Sequence, residues 1–338
     1  MRVFVAGATG AIGKPLVPLL VARGHEVVAM TRSTKGERAL REAGAAPMVA
    51  DGLDRAAVIR AVMRAGPEIL VHEMTSLAGA TNLRNFDAEF ALTNRLRTEG
   101  TDHLVEAAHK SGVRRLVAQS FGNWNYERAG SQVKTESDPL DPNPPASMRQ
   151  SLAAIRHLEE AVVGGDDAGT ADRPEGLVLR YGNLYGSGTG WSDPVLVQLL
   201  RKRKMPIIGD GGGVFSFVHV DDAAVATVAA IERGAPGIYN VADDEPAPVR
   251  VWLPLLAQAL GAKPPRRVPT WLGRLAAGEA VASMFTQIRG ASNAKAKREL
   301  GWRLIYPSWR QGFEQGLADA PVDPAAVAAL IGRGSDAS

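Results

Sequence analysis

Arg2-Val3-Phe4-Val5-Ala6-Gly7-Ala8-Thr9-Gly10-Ala11-Ile12-Gly13 is the stretch whose reading decides the fold. The apolar run from Val3 to Ala6 reads as a buried parallel strand. Gly7, Gly10 and Gly13 follow at G-x-x-G-x-x-G spacing, and Ala11 to Arg23 carries apolar residues at helical spacing up to Gly24. Strand, glycine turn and helix in that order predict a dinucleotide site. The glycines let the backbone turn tightly and approach a pyrophosphate closely. The helix start offers that pyrophosphate free N–H groups and a partial positive charge. Gly7, Thr9, Gly10, Ala11, Ile12 and Gly13 are therefore the expected pyrophosphate-binding residues. The competing reading is a tight turn that only packs helix on strand.

Outward from this turn, His25–Thr31 reads as a second strand. In such folds a carboxylate about 20 positions past the glycines binds the ribose hydroxyls of NAD. Here the region is Thr31-Arg32-Ser33-Thr34-Lys35, with no carboxylate. A guanidinium pairs well with a 2′-phosphate, so Arg32 favours NADP, with NAD the second choice. Alternatively, Arg32 and Lys35 only solvate a loop. After a third strand, Ala46–Ala50, Asp51-Gly52 stands where an adenine amine would find an acceptor. Asp51 or Asp54 would equally cap the helix that starts at Arg55. Glu68–His72 is a fourth strand, and Met74 and Thr75 beyond it are expected to line the cofactor with backbone. His72 reads as a packed core histidine rather than a base.

Phe86–Ser111 is expected to be one long helical stretch, followed by a fifth strand, Arg114–Ser120. Phe121–Pro145 reads as a long irregular loop that covers the active site. A helix at Ser147–Val163 with Ser147 as its cap, a polar loop at Gly164–Arg173 and a sixth strand at Leu177–Asn183 come next. Gln119 and Ser120 at the fifth strand's end, and Tyr181 and Asn183 at the sixth, are expected beside the nicotinamide. Repeated helix–strand alternation predicts an α/β fold: a Rossmann doubly wound parallel sheet with a smaller C-terminal α/β substrate lobe. The expected division is 1–185 for the Rossmann domain, with some later segments returning to it, 186–317 mainly for the lobe, and 318–338 as a tail. Within the lobe, Phe215–Val220 and Gly237–Val241 read as strands, and Asp221 or Asp222 as the cap of the helix between them.

The bulk composition narrows the field. The chain has 338 residues and no cysteine, which excludes disulfides and thiolate chemistry. Its net charge is 39 − 36 = +3 without a basic run, so no nucleic-acid partner is expected. No signal-peptide pattern and no long apolar run are found, so a cytoplasmic protein without a membrane partner is expected. The histidines lack HExxH-type spacing, and no metal is expected.

VFVAGATGAIG, RTEGTDHLVEAAHKSGVRRLVAQS, LVLRYGNLYGSGTG, FSFVHVDDAA, GIYNVADDEP and SNAKAKRELGW, in this order and spacing, resemble the extended short-chain dehydrogenase/reductase superfamily of the NAD-dependent epimerase/dehydratase type. The resemblance implies a bound nicotinamide cofactor, a small-molecule substrate and often a dimer, so a homodimer is left open. It also implies a Tyr-x-x-x-Lys on the helix after the long loop, the tyrosine moving a proton and the lysine holding the nicotinamide ribose. This sequence departs there: Met148 takes the tyrosine place and Leu152 the lysine place. The usual Ser/Thr falls on Phe121 and the usual Asn on Arg97. Arg97 balances buried charge near the cofactor or substrate, or pairs with Glu99 or Glu106 on the surface. Ser120 and Tyr126, the latter with Lys134, are the remaining candidates for catalysis.

The expected function is an NADP-dependent oxidoreductase moving hydride to or from a small carbonyl-like substrate without the usual relay. An NADP-binding sensor or scaffold and a nucleotide-sugar epimerase or dehydratase are the alternatives.

Overall fold

In the computed structural model, which describes residues 1–77, 83–164, 173–317 and 323–331, seven strands form one sheet. They are β1 (Arg2–Ala6), β2 (Glu26–Thr31), β3 (Ala46–Val49), β4 (Ile69–His72), β5 (Arg115–Phe121), β6 (Glu175–Tyr181) and β7 (Gly237–Val241). Their spatial order is β7-β6-β5-β4-β1-β2-β3, and every pairing is parallel. Chain direction across the sheet reverses between β1 and β4. That reversal opens a crevice at the strands' carboxyl ends.

The helices that matter for the site are α1 (Gly13–Ala22), α2 (Thr34–Glu42), α3 (Arg55–Ala65), α4 (Ala91–Arg97), α5 (Glu99–Ser111), α6 (Arg149–Val163) and α7 (Val220–Glu232). One face of the sheet packs Val3, Val5 and Val71 against Leu16 and Leu20 of α1 and Ala224 and Val228 of α7. The other packs Phe4 and Leu70 against Val58 of α3, Leu104 of α5 and Leu158 of α6. Burial on both faces explains why the strands read as unbroken apolar runs. A third core joins Phe215, Phe217, Trp252, Trp309 and Phe313 of the C-terminal half to Met148, Leu152 and Ile155 on α6 and the turn before it.

Several elements depart from expectation. Phe86–Ser111 is broken into Phe86–Glu89, α4 and α5. At the second break Thr98 (ψ −83°) turns its hydroxyl back to the Asn94 carbonyl, 3.0 Å away. Ser147 does not cap α6. Asp87, from another segment, accepts from the N–H groups of Gln150 (3.0 Å) and Ser151 (2.8 Å) instead. Likewise the cap of α7 is His219, whose Nδ1 accepts from Asp221 N–H at 3.2 Å. Asp222 is buried and accepts from the amides of Ile305 and Tyr306. Gly237–Val241 joins the central sheet beside β6. Pro324–Leu330 is a helix, with Val327 in the core beside α1. Most of the expected polar loop at 164–173, and residues 318–322 and 332–338, lie outside the described residues.

Candidate functional site

β1 delivers the chain to Gly7, which sits at φ +92°. A Cβ on Gly7 would lie 2.4 Å from the Glu73 carbonyl carbon, and one on Gly13 would lie 2.5 Å from that of Ala8. Packing alone therefore demands these two glycines. Gly10 is different. It is exposed, and its Cβ would meet only the Gly7 carbonyl oxygen, at 3.1 Å. Thr9 is exposed beside it and Ala11 partly so, while Ile12 is buried. No side chain caps α1. The Lys14 and Leu16 amides bond the carbonyls of Gly10 and Ile12 at 3.0 Å, and Pro15 has no N–H, so among the described residues the Gly13 amide is the one of the first turn left for something else to satisfy.

The neighbouring strand exits converge on this turn. A Cβ on Gly36 would lie 3.3 Å from the Thr9 methyl, so the loop after β2 abuts the glycine turn. Arg32 in that loop is exposed and makes no ion pair or hydrogen bond among the described residues. Ser33 caps α2 through Gly36 N–H at 3.2 Å. After β3, Asp51 is exposed and accepts from Leu53 N–H, while Asp54 caps α3 through Ala57 N–H. Gly52 is buried against Met74, whose sulfur would stand 2.4 Å from a Cβ there. Thr75 is half-buried just beyond. The residues expected at the cofactor from Gly7 to Thr75 thus lie along one edge of the sheet.

The second group of expected residues is arranged otherwise. Ser120 is buried and donates to Glu159 Oε1 at 2.7 Å. Arg180 clasps the same carboxylate through Nε (2.8 Å) and Nη2 (2.6 Å). Its Nη1 reaches the Tyr126 hydroxyl at 3.1 Å, and that hydroxyl donates to Asn240 Oδ1 at 2.5 Å. Tyr126 has no exposed surface, and burial raises its pKa to about 12. Lys134 pairs with Asp138, not with Tyr126. Both hydroxyls expected as candidates for catalysis, those of Ser120 and Tyr126, thus take part in one buried network. Tyr181, expected beside the nicotinamide, is buried as well. Strand alternation turns it toward α7, where its hydroxyl meets Thr227 (2.6 Å) and Glu73 (3.2 Å). Asn183 donates to Asn123 and to the Ser216 carbonyl. Gln119 is buried on the sheet near its carboxyl edge.

Met148 and Leu152, at the positions where the resemblance implies tyrosine and lysine, are 2% and 3% exposed, so that face is apolar core. It packs with Phe86 and Trp124. The surface pairing considered for Arg97 is excluded: Glu99 pairs with Arg95, and Glu106 with Arg55 and Lys110. Arg97 is instead buried.

Sequence reasoning missed Glu73, Asp87 and Glu159. Glu73, adjoining an apolar strand, was the one with a local signal. It is buried with Oε2 unpartnered, and burial raises its pKa to about 8. His72 beside it is held neutral, its pKa lowered by burial to about 4, with Nε2 on Thr101 and Nδ1 accepting from Met74 N–H. That is the packed core histidine expected. Among the described residues no cluster of side chains could hold a metal.

The uncapped helix start, the open Gly10, the unpaired Arg32 and the buried Arg97 fit a dinucleotide laid across this edge. The sequence profile of the NAD dependent epimerase/dehydratase family matches residues 3–242. A 3-diazoavenalumate denitrifying reductase from a Streptomyces species is 47% identical, covering 93% of this chain and 99% of that protein. A 2-alkyl-3-oxoalkanoate reductase from Stenotrophomonas maltophilia is 26% identical, covering 91% of each chain. Among solved structures, UDP-glucose 4-epimerase of Thermus thermophilus in complex with NAD is 27% identical, with a TM-score of 0.70 over 94% of this chain and 98% of that one. The chain belongs to the NAD dependent epimerase/dehydratase family, the extended short-chain dehydrogenase/reductase type.

Proposed function

We propose that this protein is a nicotinamide-dependent reductase whose acceptor takes a hydride without needing a proton from the protein, with NADPH the donor and a diazo acid the acceptor class. The observation that carries this reading is the apolar face of α6. Met148 and Leu152 are core residues there, and the phenol of Tyr126 is locked away. The relative at 47% identity supports it, because its name describes a reductive loss of nitrogen from a diazo compound.

Reduced nicotinamide supplies hydride, and with a diazonium-type acceptor the new C–H bond replaces C–N as dinitrogen leaves, so charge and atoms balance with no proton relay. The chain's own residues position and exclude. Gly7, Thr9, Gly10, Ala11, Ile12 and Gly13 offer backbone to the pyrophosphate. Arg32 offers its fork to a 2′-phosphate. Asp51 and Gly52 border the adenine, and Met74, Thr75 and Gln119 the centre of the cofactor. Met148, Leu152 and Trp124 form an apolar wall that limits water near an electrophile that water would attack.

Turnover tests the reading. Purified protein with NADPH and an arenediazonium carboxylate should release dinitrogen and oxidised cofactor in equal amounts. Deuterium from C4-labelled NADPH should appear on the carbon that lost nitrogen. Reduction of 3-oxo acids with no reaction of diazo acids would overturn the acceptor class. Saturable NADPH binding without oxidation by any acceptor would favour a sensor instead.

A further inference from the structure

Arg97 is an anomaly of the described structure. The residue is 7% exposed, its Nε is buried without a partner, and no hydrogen bond or ion pair to any described residue satisfies it. A buried guanidinium in that state is costly unless a ligand completes it. The acidic group whose charge reaches it is Glu159, which is already taken. Both oxygens of Glu159 are held by Ser120 and Arg180. Glu159 therefore lends Arg97 field but no contact. Burial lowers the Arg97 pKa to about 10, so it is still a cation at neutral pH.

Its placement narrows what the ligand is. The charge of Arg97 is felt by His72 at the end of β4 and supported by Glu159, which lies under Ser120 at the end of β5. These ends adjoin the switch point between β1 and β4. With the pyrophosphate on the turn after β1, the second half of a dinucleotide must extend over them. One helical turn back on the same face of α4 stands Asn94. Its Nδ2 donates to Ser151 Oγ at 3.1 Å, and that hydroxyl in turn donates to Asp87, which fixes the amide's orientation. Asn94 Oδ1 is left buried and without a partner. An orphaned donor and an orphaned acceptor thus share one helix face. A carboxylate would satisfy only the donor and repel the acceptor. A vicinal diol accepts from one and donates to the other.

We propose that Arg97 and Asn94 bind the hydroxyls of the nicotinamide-side ribose, a contact supplied from α4 because Leu152 on α6 carries no charge. This rests on the cofactor reading above.

Binding to the full-length protein, followed by calorimetry or cofactor fluorescence, tests it. The probes are NADPH and adenosine 2′,5′-bisphosphate, which lacks that ribose; NADH and AMP form a second pair. Arg97→Leu should weaken NADPH about tenfold or more, as loss of hydrogen bonds to a charged group implies, and leave the bisphosphate unchanged. Arg97→Lys should recover most of the affinity. Asn94→Ala should show a smaller loss with the same selectivity, and it carries the comparison should Arg97→Leu not fold. Equal weakening of both probes, or unchanged NADPH affinity, would overturn the proposal. Wild-type protein that binds neither pair would overturn the cofactor reading itself, a different result from selective failure.

Discussion

Arg32 and Arg97, both near the carboxyl edge of the sheet, differ in burial and therefore in what they recognise. Arg32 is exposed, so the pairing with a 2′-phosphate proposed for it would be screened by salt but would need little desolvation. Arg97 is buried, so its unpaired state costs more, and the ribose hydrogen bonds proposed for it would be stronger. We expect Arg32→Ala to weaken NADPH by about tenfold and NADH by less than about twofold, with the gap closing at high salt. Titrations of both nucleotides at two salt concentrations check this, and equal losses would remove the preference for NADP. Gly10 belongs at the same scale. It is the least crowded glycine of the turn, a Cβ there meeting the Gly7 carbonyl oxygen at 3.1 Å, and it is exposed where a ligand would approach.

Among the elements, α6 shows how a helix start is held from outside its own sequence. Asp87 accepts two of its amides and the Ser151 hydroxyl, in place of a local cap. Asp87→Ala should cost about 1–2 kcal/mol in urea unfolding, with Asp87→Asn closer to wild type. A loss no larger than that of an exposed alanine substitution would contradict the assignment. The rest of α6 ties the Rossmann sheet to the aromatic core of the C-terminal half through Met148, Leu152 and Ile155. Burying each such side chain contributes about 1.5–3 kcal/mol. That contribution explains how apolar residues occupy places where the resemblance implies polar ones.

For the molecule as a whole, buried carboxyls set the pH response. Burial raises the pKa of Glu73 to about 8, Asp243 to about 8 and Asp222 to about 7. The folded state thus keeps protons that the unfolded chain releases above about pH 4.5. The stabilisation is complete below that point and is lost as pH rises through 7 to 8. Glu73→Gln should remove one such term: the variant should lose less stability than wild type between pH 6 and pH 8.5, and should exceed it at the upper end. Urea melts at both pH values check this, and parallel declines would contradict the burial argument.

The nucleotide edge was legible in the residues because it is local. A strand, a glycine turn and an uncapped helix are contiguous at Val3–Ala22, and the missing carboxylate near Arg32 is an offset along the chain. The alternation of elements likewise predicts the parallel sheet, since burial on both faces writes itself as apolar runs. The fate of the hydroxyls and charges could not be read this way. Ser120, Tyr126 and Arg180 meet Glu159 and Asn240 only through side chains from separate strands and helices, and no spacing along the chain encodes that meeting. So the amino-acid order by itself determined an α/β Rossmann fold with Met148 and Leu152 at the two positions the resemblance implies to be polar. Packing in three dimensions alone decided that the Ser120 and Tyr126 hydroxyls join a buried network and that Arg97 is buried without a direct ion pair. The physical reason is that backbone conformation depends on neighbours in sequence, whereas desolvation depends on neighbours in space.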